Sequence, residues 1–389
     1  MTKKRRWRTA VPRLSQFALE HLLLLPLGAL IALAWVNVAP ESYYRATFAI
    51  AFAVNDVAMV FFFAVMTKEV VEATIPGGVL HPWRRALLPV IAALGATVVP
   101  ALIHSRIVDA FFDEPMLELG WPVAFATDLA FAYFIARIIF RPQHPAIPFV
   151  LLLAIASDAL GFAVLAIYNP GREVHLVTGG VLMVAAMAVA WGLRRGRVTS
   201  FWPYLIGAGG LSWYALYRGG LHPALALVPI MPFLPHAARD PGFFVDASPD
   251  APDTLSRFEI WWQHPAQIAL FFFGLVNAGI PLRALEQGTW GLPLAVIVGK
   301  PIGIMIATGI ALAVGLHLPE RIGWRELVVI GFSAALGFSV GLFFCAVLLP
   351  PGQLRSEMSM GVLLSLIAAP AALIAARLLH VGRYARYNG

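Results

Sequence analysis

The chain returns again and again to apolar runs of about 18 to 25 residues, each long enough to carry a helix across the ~30 Å hydrocarbon core of a bilayer. About twelve candidate spans are visible, near 17–38, 46–69, 86–105, 120–140, 146–168, 173–192, 200–217, 221–235, 261–282, 291–315, 326–349 and 357–380, of which 221–235 is the shortest. Nothing else constrains the fold as strongly, because lipid cannot satisfy an open backbone and only helices or closed barrels can cross it. A barrel would alternate over ~10-residue segments, and these runs do not alternate. Composition removes the remaining alternative, a soluble helical protein. Only 13% of the 389 residues are charged and 60% are hydrophobic, whereas soluble domains carry about 25% charged residues. The expected fold class is therefore all-α and polytopic, with about twelve transmembrane helices. Cys345, the single cysteine, lies inside an apolar run, which leaves neither a disulfide framework nor a cysteine metal site.

Orientation follows from the basic residues. With the N-terminus inside, inner segments hold 20 Lys and Arg residues and outer loops hold 6, namely Arg45, Arg106, Arg172, Arg218, Arg283 and Arg355. That is the bias expected of cytoplasmic loops, and it places both termini in the cytoplasm. The formal charge of +7 thus belongs to loops at the inner leaflet, so membrane lipid is the expected partner and nucleic acid is not. MTKKRRWR resembles the start of a signal peptide, but the apolar run after it is long and ends in VNVAPES without a cleavage pattern, so it is read as a retained first helix. Residues 1–16 form a basic cytoplasmic segment, 17–380 one transmembrane domain, and 381–389 a cytoplasmic tail. A Pro- and Asp-rich connection at about 236–260 is the longest polar interruption and reads as a cytoplasmic linker.

Against this background a few charges stand out. Lys68 lies at an inner end, from which it can snorkel to water. Asp56, Asp128, Asp158 and Lys300 lie deep within spans. Each costs ~2.5–3.5 kcal/mol at a helix centre on insertion scales, so these four are expected to face one another, water or backbone dipoles. Asp56 follows Asn55 and reads equally well as half of a structural clamp. Asp128 follows Thr127, and Asp158 follows Ser157. Each pair offers a carboxylate and a hydroxyl, hard oxygen ligands suited to a small hard cation. Lys300 precedes Pro301 and Gly303, where the backbone is expected to loosen. Gly331, Gly337 and Gly341 in one span, and Pro122 before FATDLAFA in another, fit helices interrupted near the midplane, although close packing on small residues accounts for any single glycine. The pattern indicates a site for a cation or for protons. An intramembrane enzyme is not expected, since no HExxH motif occurs and no histidine lies near Ser157 and Asp158 to act as a base.

NDVAMVFFFAVMTKEV, AFATDLAFA, SDALGFAVLAIY, VNAGI, GKPIGI and GFSAALGFSVG, in this order and spacing, resemble the NhaA family of sodium/proton antiporters over about residues 17–380. The resemblance implies two inverted repeats, at about 86–168 and 291–380, each containing a broken helix where the two cross. It implies alternating-access exchange of Na+ or Li+ for H+ in a bacterial inner membrane, with no cofactor. By position, Asp158 matches the family's principal ion- and proton-binding aspartate, Asp128 and Thr127 match the break in the fourth helix, and Lys300 matches the lysine that pairs with the preceding aspartate. The expected transport residues are therefore Asp158, Asp128, Lys300, Ser157 and Thr127, with Asp158, Asp128 and Thr127 as ligands of the transported Na+. Glu69, His222, Glu259 and His264 match positions tied to pH response at the cytoplasmic funnel. Residues 71–73, Val71, Glu72 and Ala73, depart from the charged pattern that follows there.

Two further departures shape the expectations. The family's Asp-Asp pair reads Ser157-Asp158, so the lysine loses its usual partner. One-for-one, electroneutral exchange is the simplest consequence, and a direct Lys300–Asp158 interaction with coupled titration is expected. Second, NVAPESYYRAT is too short for the β-hairpin through which family members dimerise, so a homodimer would need another contact. Two other readings stay open: a proton-coupled transporter of a different cation or small organic ion, which Ser157 permits, and a transport-inactive scaffold, against which the retained Asp128, Asp158 and Lys300 argue.

Overall fold

Proline and glycine decide where these apolar runs stay α-helical and where they break. The computed structural model describes residues 24–74, 83–111, 115–141, 144–167, 175–236 and 253–385. The N-terminal segment 1–16, most of the connection 236–260 and the last residues of the tail lie outside them. Helix α1 (Leu24–Val38) meets α2 (Pro40–Phe52) across Ala39 alone, and α2 runs through a π-helical turn, Ala53–Ala58, into α3 (Met59–Thr74). No strand separates the first two spans. Helix α4 (Trp83–Phe111) follows, then a 3-10 helix, Pro115–Phe125, and α5 (Leu129–Ile139). Helices α6 (Ala146–Ile167), α7 (Leu176–Arg195) and α8 (Gly210–Gly219) complete the first half. The second half holds α9 (Thr254–Asn277), α10 (Gln287–Ala313), α11 (Trp324–Ala334), α12 (Phe338–Leu348), α13 (Gln353–Leu364) and α14 (Ala368–Leu378). Among the described residues, five helices are long and apolar enough to cross a membrane, and two bent pairs make two more candidate spans.

Two differences from the sequence expectation have a backbone cause. The run at 221–235 does not form an α-helix. It is a chain of tight turns with 3-10 segments at Pro223–Leu225 and Met231–Phe233, bonded mostly from one residue to the third before it. Pro223, Pro229, Pro232 and Pro235 supply no N–H, and an interior proline also clashes with the carbonyl four residues back. Conversely, the connection expected to reach about residue 260 is helical from Thr254, where the Asp253 carboxylate caps the helix by accepting from Ser256 N at 2.8 Å. An N-cap aspartate of this kind stabilises a helix by ~1 kcal/mol.

The two bent pairs position the site. The Pro115–Phe125 helix and α5 meet at 45°, and α11 and α12 at 50°. The breaks touch: Asp128 N donates to Leu336 O at 2.6 Å, and a Cβ on Gly337 would collide with the Ala126 carbonyl. Gly337 therefore belongs to the break itself, while Gly331 packs against Pro301 and Gly341 against Val362. Lys300 does not sit at a loosened backbone, because α10 runs unbroken through Pro301.

Helices α4 and α10 brace the crossing. A Cβ on Gly95 would strike the Gly303 carbonyl, and a Cβ on Gly303 would strike that of Gly95. This reciprocal contact lets the two backbones approach, as small residues do between membrane helices. Gly95→Val and Gly303→Val are each expected to lower stability by ~1–3 kcal/mol or more through overpacking. Gly180→Ala on α7, where a Cβ meets nothing within 4 Å, is expected to be neutral or stabilising. Thermal melting in detergent, followed by size-exclusion of the surviving protein, separates the two classes. Equal melting temperatures for Gly303→Val and Gly180→Ala would contradict this packing.

Candidate functional site

Breaking a helix in the membrane exposes backbone groups that lipid cannot satisfy, so each break needs charges to meet it. At this crossing two helices end and two begin. The Pro115–Phe125 helix and α11 end there and direct carbonyls inward. Lys300, fully buried on α10, meets both ends. Its Nζ donates to Ala126 O, to Ala334 O at 2.8 Å and to the Thr127 hydroxyl at 2.8 Å. All three ammonium protons thus have acceptors. Helices α5 and α12 begin at the same place and present N–H groups. Asp128 stands at the N-terminus of α5, and its Oδ2 accepts from Ser339 N at 3.0 Å and Ser339 Oγ at 2.5 Å in the first turn of α12. One cation covers the negative ends and one anion covers the positive ends.

Asp158 is different. It is 5% exposed and lies within electrostatic reach of Asp128 and Lys300. Yet its Oδ1 has no hydrogen-bond partner among the described residues, and neither does the hydroxyl of Ser157 beside it. A buried, unpartnered carboxylate oxygen is costly, and such groups inside membranes mark ion or proton sites. The expected direct Lys300–Asp158 contact is not made. The ammonium has three protons, and the two helix ends with Thr127 occupy all of them. For the same reason the Thr127 hydroxyl, expected among the cation ligands, already accepts from Lys300.

The expected pH-response residues do not gather in one place. Glu69 and Glu259 meet through Lys68, whose Nζ lies 3.1 Å from Glu69 Oε1, 2.8 Å from Glu72 Oε2 and 2.7 Å from Glu259 Oε2. Lys68 is 3% exposed, so it does not snorkel; three carboxylates hold it inside. His264 is exposed on α9. His222 lies elsewhere, with Nε2 4.0 Å from Asp56 Oδ1 and its ring edge-on to Phe343. Asn55 forms the clamp expected of it, but with Asn277 of the VNAGI motif: the two amides exchange hydrogen bonds of 2.8 and 3.4 Å.

Among the cavities that enter the bundle of described residues, two border residues singled out above. One of about 160 Å³ runs from Glu69 and Glu259 to Asp128 and Ser339. The other, about 650 Å³, is lined by Asn277, Arg283 and Arg355 among others, and neither Asp128 nor Asp158 borders it. Ser339, the Ala126 and Ala334 carbonyls and the Glu72 carboxylate were not legible as site groups. Backbone carbonyls carry no sequence signal, and a serine after Gly-Phe reads as an ordinary small residue.

The family described as Na+/H+ antiporter 1 matches residues 18–379. A Na(+)/H(+) antiporter NhaA of Desulfitobacterium hafniense is 40% identical over 361 residues, covering 91% of this chain and 92% of that protein. Its counterpart in Geobacter metallireducens is 38% identical over 365 residues, covering 92% and 95%. The sodium proton antiporter MjNhaP1 of Methanocaldococcus jannaschii superposes with a TM-score of 0.54 over 94% of this chain and 95% of its own, at 15% identity, which is a likeness of fold.

Proposed function

The chain belongs to the Na+/H+ antiporter 1 family, and from that premise we propose that it exchanges Na+ for H+ across a bacterial inner membrane, with Asp158 as the group that holds either ion. The unpartnered Asp158 Oδ1 at the crossing carries this reading. A carboxylate with a free oxygen can be neutralised by a proton or by a cation, and it can cross a low-dielectric barrier only when neutralised. Asp128 and Lys300 are engaged with helix ends and act as the fixed electrostatic frame. Alternation moves the two arms of the crossing about that frame, exposing Asp158 to one cavity at a time. The cavity at Glu69 and Glu259 faces the cytoplasm, in keeping with the arginine bias. Both termini lie on that side.

Ser157 sets the stoichiometry. With one carboxylate free to carry a proton and Lys300 held by three acceptors, each cycle exchanges one Na+ for one H+ and moves no net charge. A second proton per cycle would couple exchange to voltage, worth about 2.3 kcal/mol per charge at 100 mV, or roughly a fiftyfold larger ion gradient. In proteoliposomes a Na+ gradient is expected to drive proton flux at the same rate with the potential clamped at zero or at 100 mV. A sustained sodium-driven current would overturn one-for-one exchange. No proton flux with either Na+ or Li+ would overturn the ion assignment.

A further inference from the structure

The 160 Å³ cavity contains more than a passage to Asp128. Its wall carries three carboxylates, Glu69, Glu259 and Asp128, and no Lys, Arg or His, so a cation inside it meets acceptor oxygens and no like charge at the surface. Lys68 joins Glu69 and Glu259 without lining the space. Along α9, Glu259, Gln263 and Gln267 all border the cavity. Their spacing of four residues puts them on one helix face, spanning about 12 Å at 1.5 Å per residue. The stripe starts at the acidic mouth and ends deep in the bundle, where Gln267 is 7% exposed.

Gln267 is the unexplained member. Its Oε1 is buried and has no hydrogen-bond partner among the described residues, although Ser339 in the same wall satisfies Asp128 and Lys68 behind the wall holds Glu69 and Glu259. A polar amide placed there without a partner costs stability that an apolar side chain would not. Asp158 does not border the cavity, so an ion entering from this side reaches Gln267 and Asp128 first. The volume holds about five waters at ~30 Å³ each, enough for a cation that keeps part of its hydration.

We propose that Gln267 is a cation ligand: its amide oxygen, with the Asp128 carboxylate bordering the same cavity, forms a waiting site for Na+ on the inner side of Asp158. Neutral amide and carboxylate oxygens are both hard ligands suited to such an ion. The ion sheds part of its water here, before it displaces the proton from Asp158. This inference rests on the exchange reading above.

The test compares the two faces of the same protein. Everted vesicles present the inner face to added Na+, and right-side-out proteoliposomes present the outer face. In each, the Na+ concentration for half-maximal proton flux is measured for wild type, Gln267→Leu and Gln267→Glu. Loss of one neutral oxygen ligand in Gln267→Leu is expected to raise the inner-face value by about 3–10-fold. The outer-face value is expected to move less than about twofold, the scatter of a contact not made. Gln267→Glu keeps the volume and adds charge, and it is expected to lower the inner-face value, which decides the matter if the leucine variant does not fold. Equal shifts on both faces would mark Gln267 as a packing residue and overturn the proposal, as would an unchanged inner-face value in Gln267→Glu. Absence of Na+-driven flux in wild type on both faces would instead refute the exchange reading.

Discussion

Asp158→Asn is expected to abolish Na+-dependent proton flux while leaving the protein folded. The expected loss is at least about 100-fold, because an ion held without a counter-charge in a low-dielectric site is several kcal/mol less stable and each 1.4 kcal/mol is tenfold. Stability should move the other way. Asp158 Oδ1 has no partner, so removing the charge relieves a desolvation cost and breaks no bond. The melting temperature of Asp158→Asn should match or exceed that of wild type in the absence of Na+. Asp128→Asn is the contrast, since its carboxylate accepts from both Ser339 N and Ser339 Oγ and the variant should melt lower. Vesicle assays with thermal melts of the same preparations report both quantities. A drop of several degrees for Asp158→Asn would reveal a hidden partner and remove the argument that this oxygen is kept free for an ion. Competition also has a signature. If one proton leaves as one Na+ binds, the Na+ requirement at acid pH rises by up to about tenfold per pH unit.

The second large effect is structural. Lys300→Met is expected to destabilise the protein by at least about 3 kcal/mol, since it leaves two buried carbonyl ends and a hydroxyl without their donor, each worth ~1–3 kcal/mol when stranded. Among the described residues, the Lys300 ammonium is the donor that reaches both Ala126 O, at the break, and Ala334 O, at the end of α11. Lys300→Arg keeps the charge but brings a larger planar group to a fully enclosed site, so it should recover only part of the loss. Melting measured across Lys300→Met, Lys300→Arg and wild type gives that order. If Lys300→Met melts with wild type, the ammonium is not what holds the broken helices together. Lys300 would then be free to carry a second proton, and voltage-driven exchange would return as the expectation.

These two residues also show how far the sequence could be read. The ordered motifs from NDVAMV to GFSVG point to the family to which the chain belongs, and the depth of Asp158 and Lys300 in apolar runs marks charges that the fold buries. The break in both crossing helices was legible as well, through Pro122 and Gly337. What misled was adjacency inferred from charge. Lys300 and Asp158 are opposite in sign and similar in depth, yet the lysine is taken by backbone carbonyls that no side-chain pattern reports. Lys68 lies at a helix end and was expected to reach water; Glu69, Glu72 and Glu259, the last from a helix nearly 200 residues away, bind it inside instead. His222 was grouped with Glu69 by resemblance, whereas its neighbour is Asp56.

The sequence by itself determined that this chain is built of apolar helices that belong in a membrane, and which few charges must be hidden there. Length, hydropathy and the cost of a charge in lipid are properties of a segment and its solvent, so they can be read one run at a time. Only the tertiary structure decided which hidden charge is spent on the frame and which stays free. That choice depends on helix ends contributed by segments some 200 residues apart. Asp128 and Lys300 are satisfied by dipoles that exist only once two broken helices cross, and Asp158 remains available because those dipoles are already met.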